Sequence, residues 1–333
     1  MKDIANYSLK AHNTFGIDVR CRRFLQYRSE EEAQTVARIL RESGDPYIII
    51  GRGSNLLLTR DFDGIVVRSA INIAYEDVDR VLCGSGVEWD VLVEKLVSHG
   101  LYGAENLSLI PGDVGAAAVQ NIGAYGAEAK DVIERVWAVE IATGELCLFM
   151  NDQLDYGYRY SRFKGEWRNQ YLITQVDFRL SREFVPRLDY GNIRAELEQR
   201  GISQPTAQQL RDVIIDIRRQ KLPDPEVTGN AGSFFMNPVV SRAKYEALAA
   251  QYPGMPHYHV DEQHEKIPAA WMIDQCGWLG RSLGRAAVHS KQALVLVNLG
   301  GATGQEIVTL CQAIQHDVKA KFGVELTPEV NIV

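Results

Sequence analysis

The sequence lacks the marks of a membrane, secreted or zinc-binding protein. No apolar run reaches the roughly 18 residues that a membrane-spanning helix needs, and the N-terminal stretch MKDIANYSLK has no hydrophobic signal segment. The five cysteines are scattered, odd in number and never in C-x-x-C spacing, which argues against a disulfide framework and against a zinc site. We therefore expect a cytoplasmic protein that inserts into no membrane and binds no metal.

An excess of positive charge is also missing. The formal net charge is −7 and the isoelectric point is near 5.6, which argues against a general nucleic-acid binder, whose affinity comes from clustered Lys and Arg facing phosphates. Local basic sites stay open. A hydrophobic fraction of 46% and a charged fraction of 24% are those of an ordinary soluble protein, and 333 residues suffice for two or three domains. We expect no nucleic acid as a partner.

Helix and strand patterns alternate in the first part of the chain. Residues 29–44 combine a Ser-x-x-Glu capping box, apolar residues at helical spacing and a final glycine, which together predict a helix. A second amphipathic pattern predicts a helix within 88–100. Apolar or alternating patterns predict strands at 47–50, 64–68, 80–86, 132–149 and 171–181, the fourth segment turning at Thr143-Gly144.

The second part begins with a capped helix. A Thr-x-x-Gln box predicts a helix over 206–220, and the two prolines that follow suggest a domain boundary near residue 222. Further helices are expected at roughly 241–250, at 267–275 and from Thr303 to Phe322, with strands at 293–298 and 324–333. The whole pattern indicates an α+β protein.

Two glycine-rich stretches are candidates for binding a phosphate. GRGSN, residues 51–55, follows a predicted strand but does not make the dinucleotide fingerprint G-x-G-x-x-G, because Leu56 stands where the last glycine belongs and no helix pattern follows. Small residues can still expose backbone N–H groups to an anion, and the nearly uncharged stretch 112–126 offers a second such surface. Two such surfaces suit a dinucleotide. The alternative for each stretch is a tight turn with close backbone packing.

One serine lies in an uncharged stretch, GNAGSFFMNP. Ser233 is not in the G-x-S-x-G pattern of a nucleophile elbow, because two phenylalanines follow it. A hydroxyl in a partly apolar pocket could instead donate a proton. A loop serine that bonds to the backbone is the alternative.

Seven short motifs follow the order and spacing of one enzyme family. They are NTFGI (13–17), GRGSNLL (51–57), SLIPGDVGAAAVQNIGAYG (108–126), GYRYSRFK (157–164), KLPDP (221–225), GNAGSFFMNP (229–238) and LTPEV (326–330). Together they resemble the UDP-N-acetylenolpyruvoylglucosamine reductases, flavoenzymes of bacterial peptidoglycan synthesis. The resemblance runs from about residue 8 to the C-terminus.

The resemblance implies a fold and a domain order. The fold is the α+β FAD-binding fold of the p-cresol methylhydroxylase and vanillyl-alcohol oxidase group. We accordingly expect FAD-binding subdomains at 1–67 and 68–221, an α/β substrate-binding domain at 222–325 and a C-terminal strand at 326–333 that returns to the active site. The segment RLDYGNI around Tyr190 resembles the extra loop of the type I members, in which a tyrosine folds over the nucleotide sugar.

The resemblance also implies a reaction. NADPH reduces FAD, which then passes a hydride to C3 of the enolpyruvyl group of UDP-N-acetylglucosamine enolpyruvate, giving the lactyl ether of UDP-N-acetylmuramate. Ser233 matches the family's proton donor to C2, and Arg159 matches the residue that meets the negative charge on the substrate carboxylate. Glu329 matches the third catalytic residue.

Cofactor and substrate contacts come from the same resemblance. FAD contacts are expected at Gly51, Gly53, Ser54, Asn55, Leu56, Pro111, Gly112, Gly115, Ala117, Asn121, Gly123, Tyr125, Gly126 and Arg218. The nucleotide sugar is expected to contact Tyr190, Lys221, Asn237 and Gln292. Asp113 departs from the family pattern, in which a variable or small residue is expected at this position. A carboxylate near a pyrophosphate is unfavourable unless it points away.

Two other functions stay open on the sequence alone. An FAD-dependent alcohol oxidase or dehydrogenase of the same fold would need a base for its substrate hydroxyl, and no candidate stands out. A flavin- or nucleotide-binding regulator would have no need for Arg159, Ser233 and Glu329 together. We expect the protein to be a monomer.

Overall fold

The structure is a computed structural model that describes residues 1–333. Its strands are β1 (Lys2–Ser8), β2 (Arg20–Tyr27), β3 (Tyr47–Ile50), β4 (Leu56–Leu57), β5 (Phe62–Ser69), β6 (Ala74–Asp77), β7 (Arg80–Gly84), β8 (Gly123–Ala124), β9 (Ala127–Glu128), β10 (Ile133–Glu140), β11 (Leu146–Met150), β12 (Tyr171–Arg179), β13 (Gly229–Ser233), β14 (Val239–Ser241), β15 (Tyr258–Asp261), β16 (His264–Lys266), β17 (Ser282–Leu283), β18 (Ala286–Val288), β19 (Val295–Asn298) and β20 (Asn331–Ile332). Its helices are α1 (Glu30–Ser43), α2 (Trp89–Ser98), α3 (Val114–Gln120), α4 (Ile193–Gln199), α5 (Ala207–Lys221), α6 (Arg242–Gln251), α7 (Ala269–Gln275) and α8 (Gly304–Phe322). No helix combines the length and the hydrophobicity that crossing a bilayer requires.

The helix ends follow capping signals that are readable in the sequence. The Ser29 side chain accepts a hydrogen bond from the Glu32 N–H at the start of α1, and Gly44 ends that helix in the left-handed conformation, with φ of 65°. At the start of α5, Thr206 and Gln209 bond each other's backbone N–H through their side chains, at 2.9 and 3.2 Å. The helices predicted over 29–44, 88–100, 206–220 and 303–322 are confirmed.

The chain divides into two compact units, and the first comprises residues 1–7, 20–52 and 62–220. In one of its sheets β2, β5 and β3 run parallel, with β1 at the edge; the other is antiparallel, in the order β11-β10-β12-β7-β6. The strands turn at Gly144 between β10 and β11, as predicted. One apolar core joins α1 to strands of both sheets, and the buried Tyr27 hydroxyl donates to the Ile173 carbonyl at 2.7 Å.

The second unit comprises residues 8–19, 53–61 and 221–333. Its main sheet is antiparallel, in the order β13-β19-β18-β17, and α8 packs against β18 and β19. The N-terminal segment is fastened to this sheet, because the Asn298 amide on β19 donates to the Phe15 carbonyl at 2.9 Å. The domain limits expected from the sequence stay a prediction.

One local expectation was wrong, and one helix was not predicted. The segment 324–333 does not form one continuous strand: Asn331–Ile332 pairs with Leu56–Leu57 of β4, and Pro328 forms an isolated antiparallel bridge with Phe235. Pro328 has no N–H to donate, so its neighbours make the bonds of this bridge: Met236 donates its N–H to the Thr327 carbonyl, and Glu329 donates to the Phe234 carbonyl. In the glycine-rich stretch a helix, α3, forms that was not predicted; Val114, Gly115, Ala117 and Ala118 are buried, and the sequence of the helix shows no amphipathic pattern.

Candidate active site

Arg159 lies at the tip of a tight turn in the first unit. Gly157 and Tyr160 exchange backbone hydrogen bonds across it, at 3.1 and 3.2 Å, so that Tyr158 and Arg159 form a two-residue loop. Arg159 has φ of 54°, a left-handed conformation that costs a residue with a side chain about 1 kcal/mol or more. Such strain persists only where surrounding contacts impose it, and it is common at functional sites.

This turn is fastened to the glycine-rich stretch that was predicted to contact the cofactor. The Asn121 amide donates to the Gly157 carbonyl at 2.8 Å, and Arg159 Nη2 donates to the Gly123 carbonyl. A Cβ on Gly123 would lie 2.7 Å from Arg159 Nη1, so the glycine is what lets the guanidinium approach. Asn121 is fully buried and also accepts a hydrogen bond from the Lys130 N–H at 3.0 Å, so its side chain positions the backbone.

Arg218 of α5 forms a pair with Tyr125. The two side chains are hydrogen-bonded, and Asp90 and Arg159 lie within electrostatic range of the Arg218 guanidinium. Burial lowers the pKa of Arg218, while Tyr125 and Asp90 act against that change. The buried Nε atom of Arg218 has no hydrogen-bond partner. A buried cation with an unused donor is suited to bind an anion or a carbonyl oxygen.

Tyr190 lies on a loop that is tied to the same stretch. Its ring meets the ring of Tyr125 edge-on, with centroids 6.5 Å apart. A Cβ on Gly126 would lie 3.5 Å from the Tyr190 Cβ. The buried Asn106 amide donates to the carbonyls of Tyr125 and Arg187, at 2.8 and 3.0 Å, and thus joins the loop to the stretch. Tyr190 is 40% exposed.

Asp113, which departs from the family pattern, is an ion-paired carboxylate. Arg52 Nε donates to one of its oxygens at 2.7 Å, and Arg68 Nη2 donates to the other at 3.3 Å. Burial raises the pKa of the Asp113 carboxyl, and the two guanidinium groups act against that rise. The charge of Asp113 is therefore neutralised within the protein.

The other predicted cofactor residues of the first unit differ in their surroundings. Gly112 is buried with φ of 135°, while its neighbour Pro111 is exposed. A Cβ on Gly115 would lie 2.8 Å from the Ser85 Cβ, and Ala117 is buried in the apolar core. The side-chain positions of Gly115 and Ala117 thus serve helix packing, which leaves only their backbone to a ligand.

The rest of the GRGSN loop belongs to the second unit. The predicted cofactor residues there are Gly53, Ser54, Asn55 and Leu56. Gly53 has φ of 77°, and a Cβ on it would lie 2.0 Å from the His12 carbonyl oxygen, so this glycine allows the NTFGI region to pack on the loop. Thr14 donates its N–H to the Gly53 carbonyl at 3.2 Å. The buried Leu56 pairs with Asn331 in the short parallel ladder of β4 and β20.

Ser233 and Glu329 lie on neighbouring backbone segments of the second unit. Ser233 is half-buried at the end of β13, after a bulge in which Gly232 has φ of 69°. Glu329 donates its N–H to the carbonyl of Phe234 at 2.8 Å. The Asn55 amide donates to the Glu329 carbonyl at 3.2 Å. The structure thus brings two of the three predicted catalytic residues, and one predicted cofactor residue, into one hydrogen-bond network.

The predicted substrate residues of the second unit have defined orientations. Asn237 Oδ1 accepts a hydrogen bond from the Ala269 N–H at 2.9 Å and so caps α7, and Gln292 Oε1 accepts one from the Leu294 N–H at 3.3 Å. Because the amide oxygens are used in this way, the amide NH₂ groups are what these residues offer to a phosphate. Lys221 is exposed at the end of α5.

Known protein families match parts of both units. A family model for an FAD binding domain matches residues 22–149, and one described as UDP-N-acetylenolpyruvoylglucosamine reductase, C-terminal domain, matches residues 224–333. The UDP-N-acetylenolpyruvoylglucosamine reductase of Bacteroides fragilis is 51% identical over 332 residues, which cover 98% of this chain and 99% of the relative. The chain belongs to the UDP-N-acetylenolpyruvoylglucosamine reductase family.

Two further members of this reductase family are similar to the chain. The enzyme of Burkholderia multivorans is 47% identical over 334 residues, covering 98% of this chain and 95% of the relative. The crystal structure of the UDP-N-acetylenolpyruvylglucosamine reductase from Thermus caldophilus matches with a TM-score of 0.69 at 22% identity, over 99% of this chain and 98% of that one. The α+β FAD-binding fold expected from the sequence is confirmed.

The residues of this reductase fit FAD. The matched FAD binding domain includes the Gly51 end of the GRGSN loop and the whole stretch 112–126. A Cβ on Gly51 would lie 3.1 Å from the Ala116 Cβ, so a glycine at this position leaves room between the two loops. The Nε of Arg218 is a buried donor without a partner. Loops rich in small residues, together with a buried cation, suit a pyrophosphate and a flavin ring.

Three residues of the reductase site region were not predicted. Arg52 and Arg68 hold Asp113, and the signal was available: a carboxylate in an apolar glycine-rich turn needs a cation partner, and Arg52 interrupts the glycine loop. Asn106 joins the Tyr190 loop to the glycine stretch. Nothing in the sequence marks Asn106, because asparagine is common in turns and loops.

Proposed function

We propose that this chain reduces the enolpyruvyl group of UDP-N-acetylglucosamine enolpyruvate at the expense of NADPH, giving UDP-N-acetylmuramate. The observation that carries the proposal is the hydrogen bond from Glu329 to Phe234, because it sets the backbone of one predicted catalytic residue beside the residue that follows another, Ser233. The family of the chain and its FAD binding domain support the choice of substrate and cofactor. We also propose that a monomer is active, which sedimentation analysis of the active protein tests.

Bound FAD would supply the redox chemistry, the transfer of a hydride from NADPH to C3 of the enolpyruvyl group. Negative charge then develops at C2 and on the adjoining carboxylate of the substrate. The side chains of this protein have to bind that charge and end the reaction by protonating C2.

Ser233 is the proposed proton donor. A hydroxyl is a weak acid, but an enolate carbon is a strong base, so the proton transfer is favourable once the hydride has arrived. Ser233 is half-buried and precedes the fully buried Phe234. General acid catalysis of this kind typically contributes about 10²- to 10⁴-fold to a rate.

Arg159 and Glu329 are the proposed electrostatic partners of the reaction. The planar guanidinium of Arg159 matches a carboxylate, and its strained turn and its bond to Gly123 preorganise it. Glu329 hydrogen-bonds the reacting group and sets its geometry; its backbone is held at both the N–H and the carbonyl, by Phe234 and Asn55. For the nucleotide diphosphate we propose Tyr190, Lys221, Asn237 and Gln292, one cation and three neutral donors.

The test separates the two halves of the reaction. Stopped-flow absorbance follows flavin reduction by NADPH, and then flavin reoxidation by the enolpyruvyl substrate, in the wild type and in Ser233→Ala. We expect reduction at the wild-type rate and reoxidation slowed by at least about 10²-fold. Wild-type rates in both halves of the reaction would contradict the role of Ser233.

A matched control lies on the same sheet. Ser282→Ala removes an exposed hydroxyl from β17 and should leave both half-reactions unchanged. A purified protein without FAD, or with FAD that the enolpyruvyl substrate does not reoxidise even in the wild type, would contradict the proposed function as a whole.

A further inference from the structure

A buried carboxylate connects the two glycine-rich loops of the first unit. We propose that Asp113 is a positioning residue of the cofactor site, which holds the Gly51–Arg52 end of one loop against the Gly112–Gly115 turn of the other before FAD binds. Both loops lie within the matched FAD binding domain. The inference rests on the proposed function only in that these loops contact FAD.

The contacts of Asp113 give it this role. Its side chain is 3% exposed, and its two oxygens bind different segments: Arg52 of the GRGSN loop, at 2.7 Å, and Arg68 of β5, at 3.3 Å. Arg52 is 41% exposed and also pairs with Glu88, at 3.2 Å. The carboxylate is thus the buried centre of the cluster, and Glu88 is its exposed outer member.

The backbone holds the turn of Asp113 from one side only. Trp89 donates its N–H to the Gly112 carbonyl at 3.0 Å, and Val114 donates to the Val87 carbonyl at 2.9 Å, so residues 87–89 fix the turn itself. The side chain of Asp113 joins this turn to the GRGSN loop, because it accepts a hydrogen bond from Arg52 Nε. The loops lie so close there that a Cβ on Gly51 would be 3.5 Å from Asp113 Oδ2.

An effect of charge alone and a positioning role predict opposite changes in FAD affinity when Asp113 is replaced. The pyrophosphate of FAD is anionic, so removing a nearby carboxylate and leaving Arg52 and Arg68 should tighten FAD binding if charge were the deciding factor. A positioning role predicts weaker binding, because the loops must then be ordered when FAD binds. The sign of the change in the dissociation constant therefore decides between the two.

The experiment measures the FAD dissociation constant of apoprotein, by flavin fluorescence quenching, together with the melting temperature of the apoprotein. Asp113→Asn should raise the dissociation constant by about 10- to 100-fold, the factor that corresponds to lost hydrogen bonds to a charged group. Arg52→Lys should raise it in the same direction, because lysine keeps the charge but lacks the Nε–H that contacts Asp113. An effect on folding alone would lower the melting temperature and leave the dissociation constant of the folded protein unchanged.

The matched control is Glu88→Gln, which removes a negative charge from the exposed side of Arg52 and keeps both the Asp113 side chain and the backbone bridge between residues 88 and 113. It should change the dissociation constant far less than Asp113→Asn does. Tighter binding in Asp113→Asn, or unchanged binding in Arg52→Lys, would overturn the inference. If Asp113→Asn does not fold, Arg52→Lys decides alone, since its side chain is partly exposed. If FAD fails to bind the wild type, the proposed function has failed; a wild type that binds FAD tests the inference whatever Ser233 does.

Discussion

The predicted site residues of the two units are held in place in different ways. In the first unit Arg159, Asn121 and Tyr125 have left-handed backbones, with φ of 54°, 46° and 49°, and the bonds between the segments come largely from side chains. In the second unit Ser233 and Glu329 are aligned by backbone hydrogen bonds between strand and C-terminal segment. One substitution removes a side-chain bond, whereas backbone pairing survives most substitutions. We therefore expect the first unit to be the more sensitive.

The largest effect is expected for Gly123→Ala. The new Cβ would meet Arg159 Nη1 and displace the guanidinium from the Gly123 carbonyl. Reoxidation of reduced flavin by the enolpyruvyl substrate should slow by about 10²- to 10³-fold, the usual cost of losing one preorganised donor. Stopped-flow absorbance measures this rate.

Two controls accompany Gly123→Ala. Flavin reduction by NADPH in the same variant should stay close to the wild-type rate. Adding Gly123→Ala to Arg159→Lys should cause little further loss, because both changes act on the same contact. Independent, additive losses would show that Gly123 acts through something other than Arg159.

A smaller effect is expected for Asn106→Ala. The carbonyls of Tyr125 and Arg187 lose their donor, which should lower the free energy of unfolding by about 1–3 kcal/mol. Because the Tyr190 loop is released, the KM for the nucleotide sugar should rise by about 10-fold with less change in kcat. Steady-state kinetics and urea unfolding measure the two effects.

Asn151 provides the control for this loop. Its amide also bonds two carbonyls of the first unit, those of Lys130 and Ile133, at 3.0 and 2.7 Å. Asn151→Ala should lose similar stability and keep the KM of the wild type. Equal KM values in the two variants would contradict the role of Asn106 in holding the loop.

Much of the fold was predictable because the information is local. Capping residues and hydrophobic periodicity predicted α1, α5 and α8, and Gly144 predicted the hairpin turn. Helix α3 and the C-terminal segment were not predictable in this way. The first is a short, largely buried helix rich in alanine, and the second alternates like a strand but takes its partners from distant segments of the second unit.

The site was predictable only in part, for the same reason. The motifs point to Ser233, Arg159 and Glu329, and they do so through resemblance. The means by which the chain holds these residues, such as the strained φ of Arg159 and the two bonds of Asn106, depend on contacts between segments far apart in sequence. No local pattern encodes them.

In the second unit, a side-chain substitution should have little effect. Asn331 donates both its N–H and its amide to the Asn55 carbonyl, each at 3.1 Å, so Asn331→Ala keeps the backbone bond. We expect a loss of at most about 1.5 kcal/mol in unfolding free energy and a kcat near that of the wild type. A loss of kcat as large as that of Gly123→Ala would remove the contrast between the two units.

The smallest effect is a dependence of stability on pH in the second unit. Burial, and then the nearby Lys291, lower the pKa of His289 below its ordinary value of 6.5. The unfolded chain therefore takes up this proton first as the pH falls, so stability should decrease below about pH 6.5 until the folded-state pKa is reached. Urea unfolding at about pH 7.5 and about pH 5.5 should show a larger decrease for the wild type than for His289→Gln. An equal decrease would exclude His289 as a source.

The most direct test of the account is a crystal structure with the enolpyruvyl sugar nucleotide and FAD bound. We predict that Ser233 Oγ lies within about 3.5 Å of C2 of the enolpyruvyl group, within reach for proton transfer. We also predict that the guanidinium of Arg159 contacts the substrate carboxylate. A reacting double bond well beyond hydrogen-bond reach of Ser233, on the other face of the flavin, would contradict the proposal that this hydroxyl completes the reaction.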